Sequence, residues 1–304
     1  MPHSTKGACN VHYPHTREGT LLGIEDVHVT LGGRLILKGV SATVENIVRM
    51  DVKQGQVIGL VGPSGAGKTT LFRVIGGFLT ADSGQVLVRK HGIESDPAYD
   101  SLGDRDKLVP VQKGMVGVVT QSYRVFRHLT VLGNLVRAGR KAGLTKAEAT
   151  DKAKALLDRF GILDIQDRWP MSTQISGGQR QRVAIIQQIM VGHQTICMDE
   201  PFSGLDPRQK KNVMKWISEL TSIDELLTFI VVTHDIGAAV AVSDHLWLMG
   251  KDHDPVSGKA LDGARILSIY DLISMGLAWN ENIQSMPEFR DLVNQVTERF
   301  DHLL

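Results

Sequence analysis

The feature that most restricts this chain is an eight-residue loop, Gly62-Pro63-Ser64-Gly65-Ala66-Gly67-Lys68-Thr69, between an apolar run and a helical one. Val57 to Val61 reads as a buried strand, and Thr70 to Ile75 reads as the body of a helix. The pattern G-x-x-x-x-G-K-[ST] in a strand–loop–helix setting is built to wrap an anion. Glycines let the backbone close around phosphate oxygens, successive amides point inward as a nest, and the helix N-terminus adds partial positive charge. Lys68 can reach the β- and γ-phosphates, and the Thr69 hydroxyl can ligate Mg²⁺. Gly62 to Thr69, with Thr70 in the same helical turn, are therefore the candidate phosphate-binding residues. By itself the loop says nucleoside triphosphate; GTPases, kinases and motor ATPases all remain open.

Bulk properties narrow the surroundings. The chain has 304 residues, 42% hydrophobic and 22% charged, enough to bury about three quarters of its unfolded surface in one large domain or two intimate subdomains. With 34 basic and 33 acidic residues the formal net charge is +1, so nucleic acid is not expected as the main partner. Two cysteines, Cys9 and Cys197, cannot build a disulfide framework; Cys197, between Ile196 and Met198, reads as a small buried hydrophobe. Cys9 has no hydrophobic segment before it, so lipidation is not expected. His3, His12 and His15 lack carboxylate or thiol partners at metal-binding spacing, and residues 1–20 read as a mobile tail. No run approaches the roughly 18 apolar residues of a membrane span, so a membrane role is expected to come through a partner.

Along the chain the pattern is strand-rich, then helical, then α/β. Gly23–Leu31, Ile36–Val44 and Gln56–Val61 read as strands punctuated by Gly32-Gly33 and Gln54-Gly55, with further strands at Gly84–Arg89 and Met115–Thr120. Residues 90–110, carrying Pro97, Gly103 and Pro110, read as a surface excursion. Thr145-Lys146-Ala147-Glu148 is a capping-box pattern, and the helix after it shows Ala149, Ala153, Leu156, Leu157 and Phe160 on one face before Gly161 stops it. Ile196–Met198 and Phe229–Val232 have the length of buried parallel strands, and in open α/β sheets the ligand site collects at their C-terminal ends. A last helix is expected at Glu288–Phe300.

Several short motifs stand at those element ends: Gln121, Ser176-Gly177-Gly178-Gln179 before a helix, Asp199-Glu200 closing a strand, Ser203-Gly204-Leu205-Asp206, and Thr233-His234-Asp235. Any one of them is a turn or a solvated strand end. In this order, after the phosphate loop, they resemble the ABC ATPase family over about residues 21–250. The resemblance implies an α/β P-loop NTPase cassette with a RecA-like core, an antiparallel β subdomain and an inserted helical subdomain at about 122–180; residues 251–304 would be a C-terminal extension. It implies ATP and Mg²⁺ as cofactors. It also implies that Asp199 holds Mg²⁺ through water, that Glu200 is the general base, and that Gln121 positions Mg²⁺ and water and senses a membrane partner. His234 would contact the γ-phosphate. Ser176, Gly177, Gly178 and Gln179 would form a second anion site facing ATP held by another cassette, with Asp206 at that interface.

The sequence departs from the family pattern in places. Leu31 stands where an aromatic residue commonly stacks on adenine and offers apolar contact without a π-face; His28 is the alternative ring nearby in sequence. Glu45–Asp51 is expected as a loop insertion, and Ile185-Ile186-Gln187-Gln188 as altered packing behind the site. One cassette without a membrane segment resembles the separate ATPase subunit of a bacterial small-solute or amino-acid importer, and Gln121–Val131 resembles the segment that receives a permease helix. The partners so implied are a second cassette, a transmembrane permease and a solute-binding protein, at the cytoplasmic face of the inner membrane. An exporter or lipid-transport subunit, or a non-transport ABC ATPase, is the alternative; the latter normally shows a coiled coil or second cassette, and neither is visible.

Overall fold

A computed structural model describes residues 14–50, 53–90, 102–171, 173–280 and 282–303. The readings made on His3, Cys9, His12, Asp51 and Pro97 lie outside the described residues. In chain order the elements are β1 (His15–Leu31), β2 (Arg34–Arg49), β3 (Gln56–Val61), α1 (Lys68–Ile75), β4 (Ser83–Arg89), β5 (Leu108–Pro110), β6 (Gly117–Val119), α2 (Val131–Lys141), α3 (Lys146–Arg159) and α4 (Gly177–Val191). They continue with β7 (Thr195–Asp199), α5 (Pro207–Thr221), β8 (Thr228–Val232), α6 (Ile236–Val242), β9 (His245–His253), β10 (Ala260–Asp271) and α7 (Pro287–Asp301).

The described strands form one sheet in the order β5-β4-β1-β2-β10-β9-β3-β8-β7-β6. Its β9-β3-β8-β7-β6 half is parallel, and every residue of β3 and β8 is buried, as expected where helices cover both faces. The other half is antiparallel except where β10 pairs in parallel with β2. There β1 and β2 form a hairpin across Gly32-Gly33, whose φ values of 58° and 76° suit a two-residue turn that L side chains resist. Val40, Ala42 and Val44 are buried while Ser41, Thr43 and Glu45 are exposed, so one face of β2 packs and the other is wet.

The helical block between β6 and β7 holds α2, α3 and the start of α4. The capping box forms as expected: the Glu148 amide donates to Thr145 Oγ1, and the Thr145 amide donates to the Glu148 carboxylate at 2.8 Å. Ala149, Ala153, Leu156, Leu157 and Phe160 are buried against α4, where Ile185 and Ile186 lie fully inside. Gln188 makes a polar contact with His193 rather than approaching the phosphate loop. Cys197 is buried in β7 with its thiol pushed up by burial, in keeping with an inert hydrophobe.

Three boundaries differ from the sequence reading. His15–Thr20, taken as tail, is the first part of β1; Glu45–Arg49, taken as inserted loop, continues β2 and pairs with it. The residues His15-Thr16-Arg17-Glu18-Gly19-Thr20 carry no apolar alternation, because this extension is held by its ladder and by cross-links: Arg17 bridges Glu45 and Asp271 at 3.2 and 2.6 Å. The supposed C-terminal extension also cannot start at residue 251. β9 runs through that position, and β10 inserts between β9 and β2, pairing with both. Finally α7 packs Leu292 and Val296 against Leu246 and Leu248 of β9 and Ala239 and Val240 of α6.

Candidate phosphate and carboxylate site

Because β3, β8, β7 and β6 are parallel neighbours, their C-terminal ends share one edge. Gly62 follows β3, Thr233-His234 follow β8, Asp199-Glu200 close β7, and Gln121 lies just past β6. Residues far apart in sequence thus meet where an open α/β sheet places its ligand.

The loop from Gly62 to Thr69 is shaped by close packing beneath it. A Cβ on Gly62 would fall within 3.0 Å of the Met249 carbonyl oxygen, and one on Gly67 would sit 2.8 Å from Leu37 Cδ2. Gly67 has φ 77° and begins α1 without any side-chain cap, which leaves the first-turn amides of Lys68, Thr69 and Thr70 open to an external acceptor. Ser64, Gly65 and Thr69 are exposed while Pro63 and Ala66 are buried. Lys68 Nζ donates to the Gly62 and Pro63 carbonyls at 2.5 and 3.0 Å. Burial pushes its ammonium below the usual lysine range, against the pull of Glu200 and Asp199 nearby. Asp199 is raised, first by burial and then by the neighbouring Glu200, with Lys68 opposing. One lysine and two carboxylates are therefore electrostatically coupled.

Glu200 is the most constrained residue of the group. Its φ of 50° is left-handed, a conformation that costs a non-glycine residue about 1–3 kcal/mol and persists only where neighbours enforce it. The enforcing bond is its amide to the Val232 carbonyl at 2.8 Å, which locks the end of β7 to β8. Its carboxylate accepts from Thr233 Oγ1 at 3.1 Å and meets His234 Nδ1 at 2.9 Å. A carboxylate has about four lone-pair directions, so room remains for a further donor such as water.

Gln121 Nε2 reaches Ser203 Oγ at 3.4 Å, joining the strand end after β6 to the segment after Glu200. Asp206 accepts the Gln209 amide at 2.9 Å and caps α5, with Pro207 opening that helix. Ser176 and Gln179 close a capping box on α4, so both side chains are committed to each other. Gly177 and Gly178 are exposed, with nothing within 4 Å of where a Cβ would lie. This helix start is an open amide-lined face, and no hydrogen bond ties Ser176–Gln179 to Gly62–Thr70 among the described residues. Leu31 is 38% exposed at the end of β1. His28 is turned to Asp26 at 3.1 Å.

Two contributors escaped the sequence reading. Thr233 was legible as part of a motif, but its bond to Glu200 was not. Lys210 forms an ion pair with Asp235 at 2.5 Å across 25 residues, a link that no spacing rule reveals. Asp235 itself carried a signal, since an aspartate before the apolar run Ile236–Val242 is an N-cap pattern, and it does accept the Ala238 amide at 2.9 Å.

The sequence model described as ABC transporter matches residues 46–203. The sulfate/thiosulfate import ATP-binding protein of Acinetobacter baylyi is 36% identical over 210 residues, 67% of this chain and 54% of that protein. The protein of the same name from Pseudomonas aeruginosa is 36% identical over 209 residues, 67% of this chain and 58% of its own length. The chain thus spans little more than half the length of these curated relatives. Among solved structures, cbiO1 of Clostridium perfringens, part of the ABC transporter complex cbiONQ, superposes with a TM-score of 0.62 at 24% identity, covering 94% of this chain and 99% of that one. The ADP conformation of MJ1267, an ATP-binding cassette of an ABC transporter, gives 0.62 at 22% identity over 92% and 98%. These two establish the cassette fold. With its phosphate loop, its Asp199-Glu200 strand end and its match over residues 46–203, the chain belongs to the ABC transporter family, among its ATP-binding subunits.

Proposed function

We propose that the chain binds Mg-ATP and hydrolyses it as the ATPase subunit of a solute importer, two cassettes closing on ATP to drive a separate membrane permease. The observation that carries this reading is the Glu200 carboxylate, held by Thr233 and His234 in a strained backbone beside Lys68 and Asp199. In this reading Gly62 to Thr70 hold the triphosphate and Lys68 leaves its loop carbonyls for the β- and γ-phosphates. Glu200 takes the proton of the attacking water. His234 is the contact to the γ-phosphate, and Gln121 orients the water.

The oxygen donors near Lys68 suit a hard divalent cation: an exposed threonine hydroxyl at the start of α1 and a carboxylate at the end of β7, with phosphate oxygens completing the set. Thr69, Asp199 and Gln121 are the residues that would hold Mg²⁺, which when bound neutralises developing phosphate charge. The open amides of Gly177 and Gly178 support the second anion site, and in this reading Asp206 belongs to the cassette–cassette interface. The curated relatives are named for sulfate and thiosulfate import, which supports an importer of small solutes working with a permease and a solute-binding protein. No described helix is long and apolar enough to cross a membrane, and attachment at the cytoplasmic face through the permease follows from the reading.

Glu200→Gln tests it. Turnover should fall by roughly 10²–10⁴, the usual worth of a general base, with ATP binding retained. An ATP-bound dimer should then accumulate on size-exclusion chromatography. Wild-type turnover in that variant would overturn the assignment.

A further inference from the structure

The hydrogen bonds around Glu200 do not stop at His234. The Asp235 amide donates to Thr233 Oγ1 at 3.1 Å, and the Thr233 hydroxyl donates in turn to Glu200 Oε2. The Asp235 carboxylate is divided between two tasks: Oδ1 caps α6 at Ala238, and Oδ2 accepts from Lys210 Nζ. Lys210 lies in the first turn of α5, and its own amide bonds to the Asp206 carbonyl at 2.9 Å. A lysine at a helix N-terminus opposes the macrodipole, so Lys210 is explained by its partner rather than by its helix. The pair is only part-exposed, 34% and 24%. Burial pushes Asp235 up, yet the Lys210 and Ala238 hydrogen bonds and the Lys210 charge hold it below the usual carboxylate range.

We propose that Lys210 is a positioning residue for the ATPase reaction: through Asp235 it ties the start of α5, where Asp206 lies, to the Thr233–His234 segment that holds the Glu200 carboxylate. The inference rests on the reading of Glu200 as general base and of Asp206 as an interface residue, and adds how one is linked to the other. The path is a continuous set of bonds rather than spatial nearness: Asp206 backbone, Lys210, Asp235, Thr233, Glu200. Movement of α5 when a second cassette meets Asp206 shifts the Asp235 carboxylate, and with it the donors that aim Glu200.

The test compares Lys210→Met, Lys210→Arg, Asp235→Asn and the Lys210→Met/Asp235→Asn double variant in the full chain. Steady-state Mg-ATPase, equilibrium binding of a fluorescent ATP analogue and thermal melting are measured for each. Lys210→Met should lower kcat about tenfold, since small misplacements of a catalytic group are costly, while KM and analogue affinity stay within about twofold. Lys210→Arg should recover most of the rate. Asp235→Asn keeps an oxygen for the α6 cap and should match Lys210→Met, and the double variant should be no slower than the slower single. A wild-type kcat in Lys210→Met overturns the proposal, as does additivity in the double variant or an equal loss in Lys210→Arg. If Lys210→Met does not fold, a wild-type kcat in Asp235→Asn overturns the proposal in its place. Glu200→Gln run alongside separates the two failures: full activity there overturns the base assignment, whereas loss there with full activity in Lys210→Met overturns the coupling alone.

Discussion

Removing the Arg49 guanidinium should destabilise the chain in a manner that depends on pH, and the structure sets the size of the effect. Arg49 closes the β2 extension, and Asp244 immediately precedes β9; each side chain is 5% exposed, and Arg49 Nη2 lies 3.3 Å from Asp244 Oδ1. The carboxylate also accepts from the Val57 amide at 2.6 Å and from Trp279 Nε1, while the guanidinium stacks 3.4 Å above the Trp279 ring. Even with these partners, burial pushes Asp244 from 3.8 up to about 6, and desolvation takes Arg49 down to about 10. That rise corresponds to about 3 kcal/mol. The sign is that of a raised carboxyl: its stabilisation is complete below its unfolded value and is lost as pH climbs through about 6. In Arg49→Met the ionised carboxylate has no counter-charge, and together with the lost hydrogen bond and stacking this costs about 3–5 kcal/mol at pH 8. At pH 5 Asp244 is largely protonated and that part of the cost disappears. Losing the guanidinium raises the Asp244 carboxyl further, and each tenfold gain in its proton affinity is worth about 1.4 kcal/mol, so the expected cost at pH 5 is smaller by about 1–3 kcal/mol. Lost stacking on Trp279 contributes equally at both values and cancels. Urea unfolding followed by tryptophan fluorescence at pH 5 and pH 8 measures the difference. Equal costs within about 0.5 kcal/mol would refute the reasoning.

Two further outcomes follow from the site. Gly62→Ala places a methyl against the Met249 carbonyl; the phosphate loop has to shift, and ATP affinity measured by titration calorimetry should fall about tenfold or more. Leu31→Tyr supplies the π-face that the end of β1 lacks. It should tighten ATP about two- to tenfold in competition binding, the range expected from one aromatic stack, with little change for inorganic triphosphate.

Local chemistry was enough to read the nucleotide half of this protein. The phosphate loop is a local structure, whose strand, glycines and helix start are neighbours in the chain, so Gly62 to Thr69 were legible without a fold. The capping box at Thr145 is equally local and formed as read; the one at Ser176 is just as local, though only its place before a helix was read. Buried parallel strands carry continuous apolar runs, which is why β7 and β8, with Asp199, Glu200 and His234 at or just beyond their ends, were also visible in the sequence.

What only the tertiary structure decided depends on partners distant in sequence. The strand His15–Thr20 is polar and is made a strand by its ladder to Glu45–Arg49, so it passed for a tail. β10 joins the sheet between β2 and β9, a placement set by pairing rather than by side-chain pattern. The embrace of Glu200 by Thr233 and His234, and the Lys210–Asp235 pair behind it, exist because β7, β8 and α5 converge at one edge. A sequence names the groups that can ionise and donate. Only the sheet order determines which of them stand within hydrogen-bonding reach of one another.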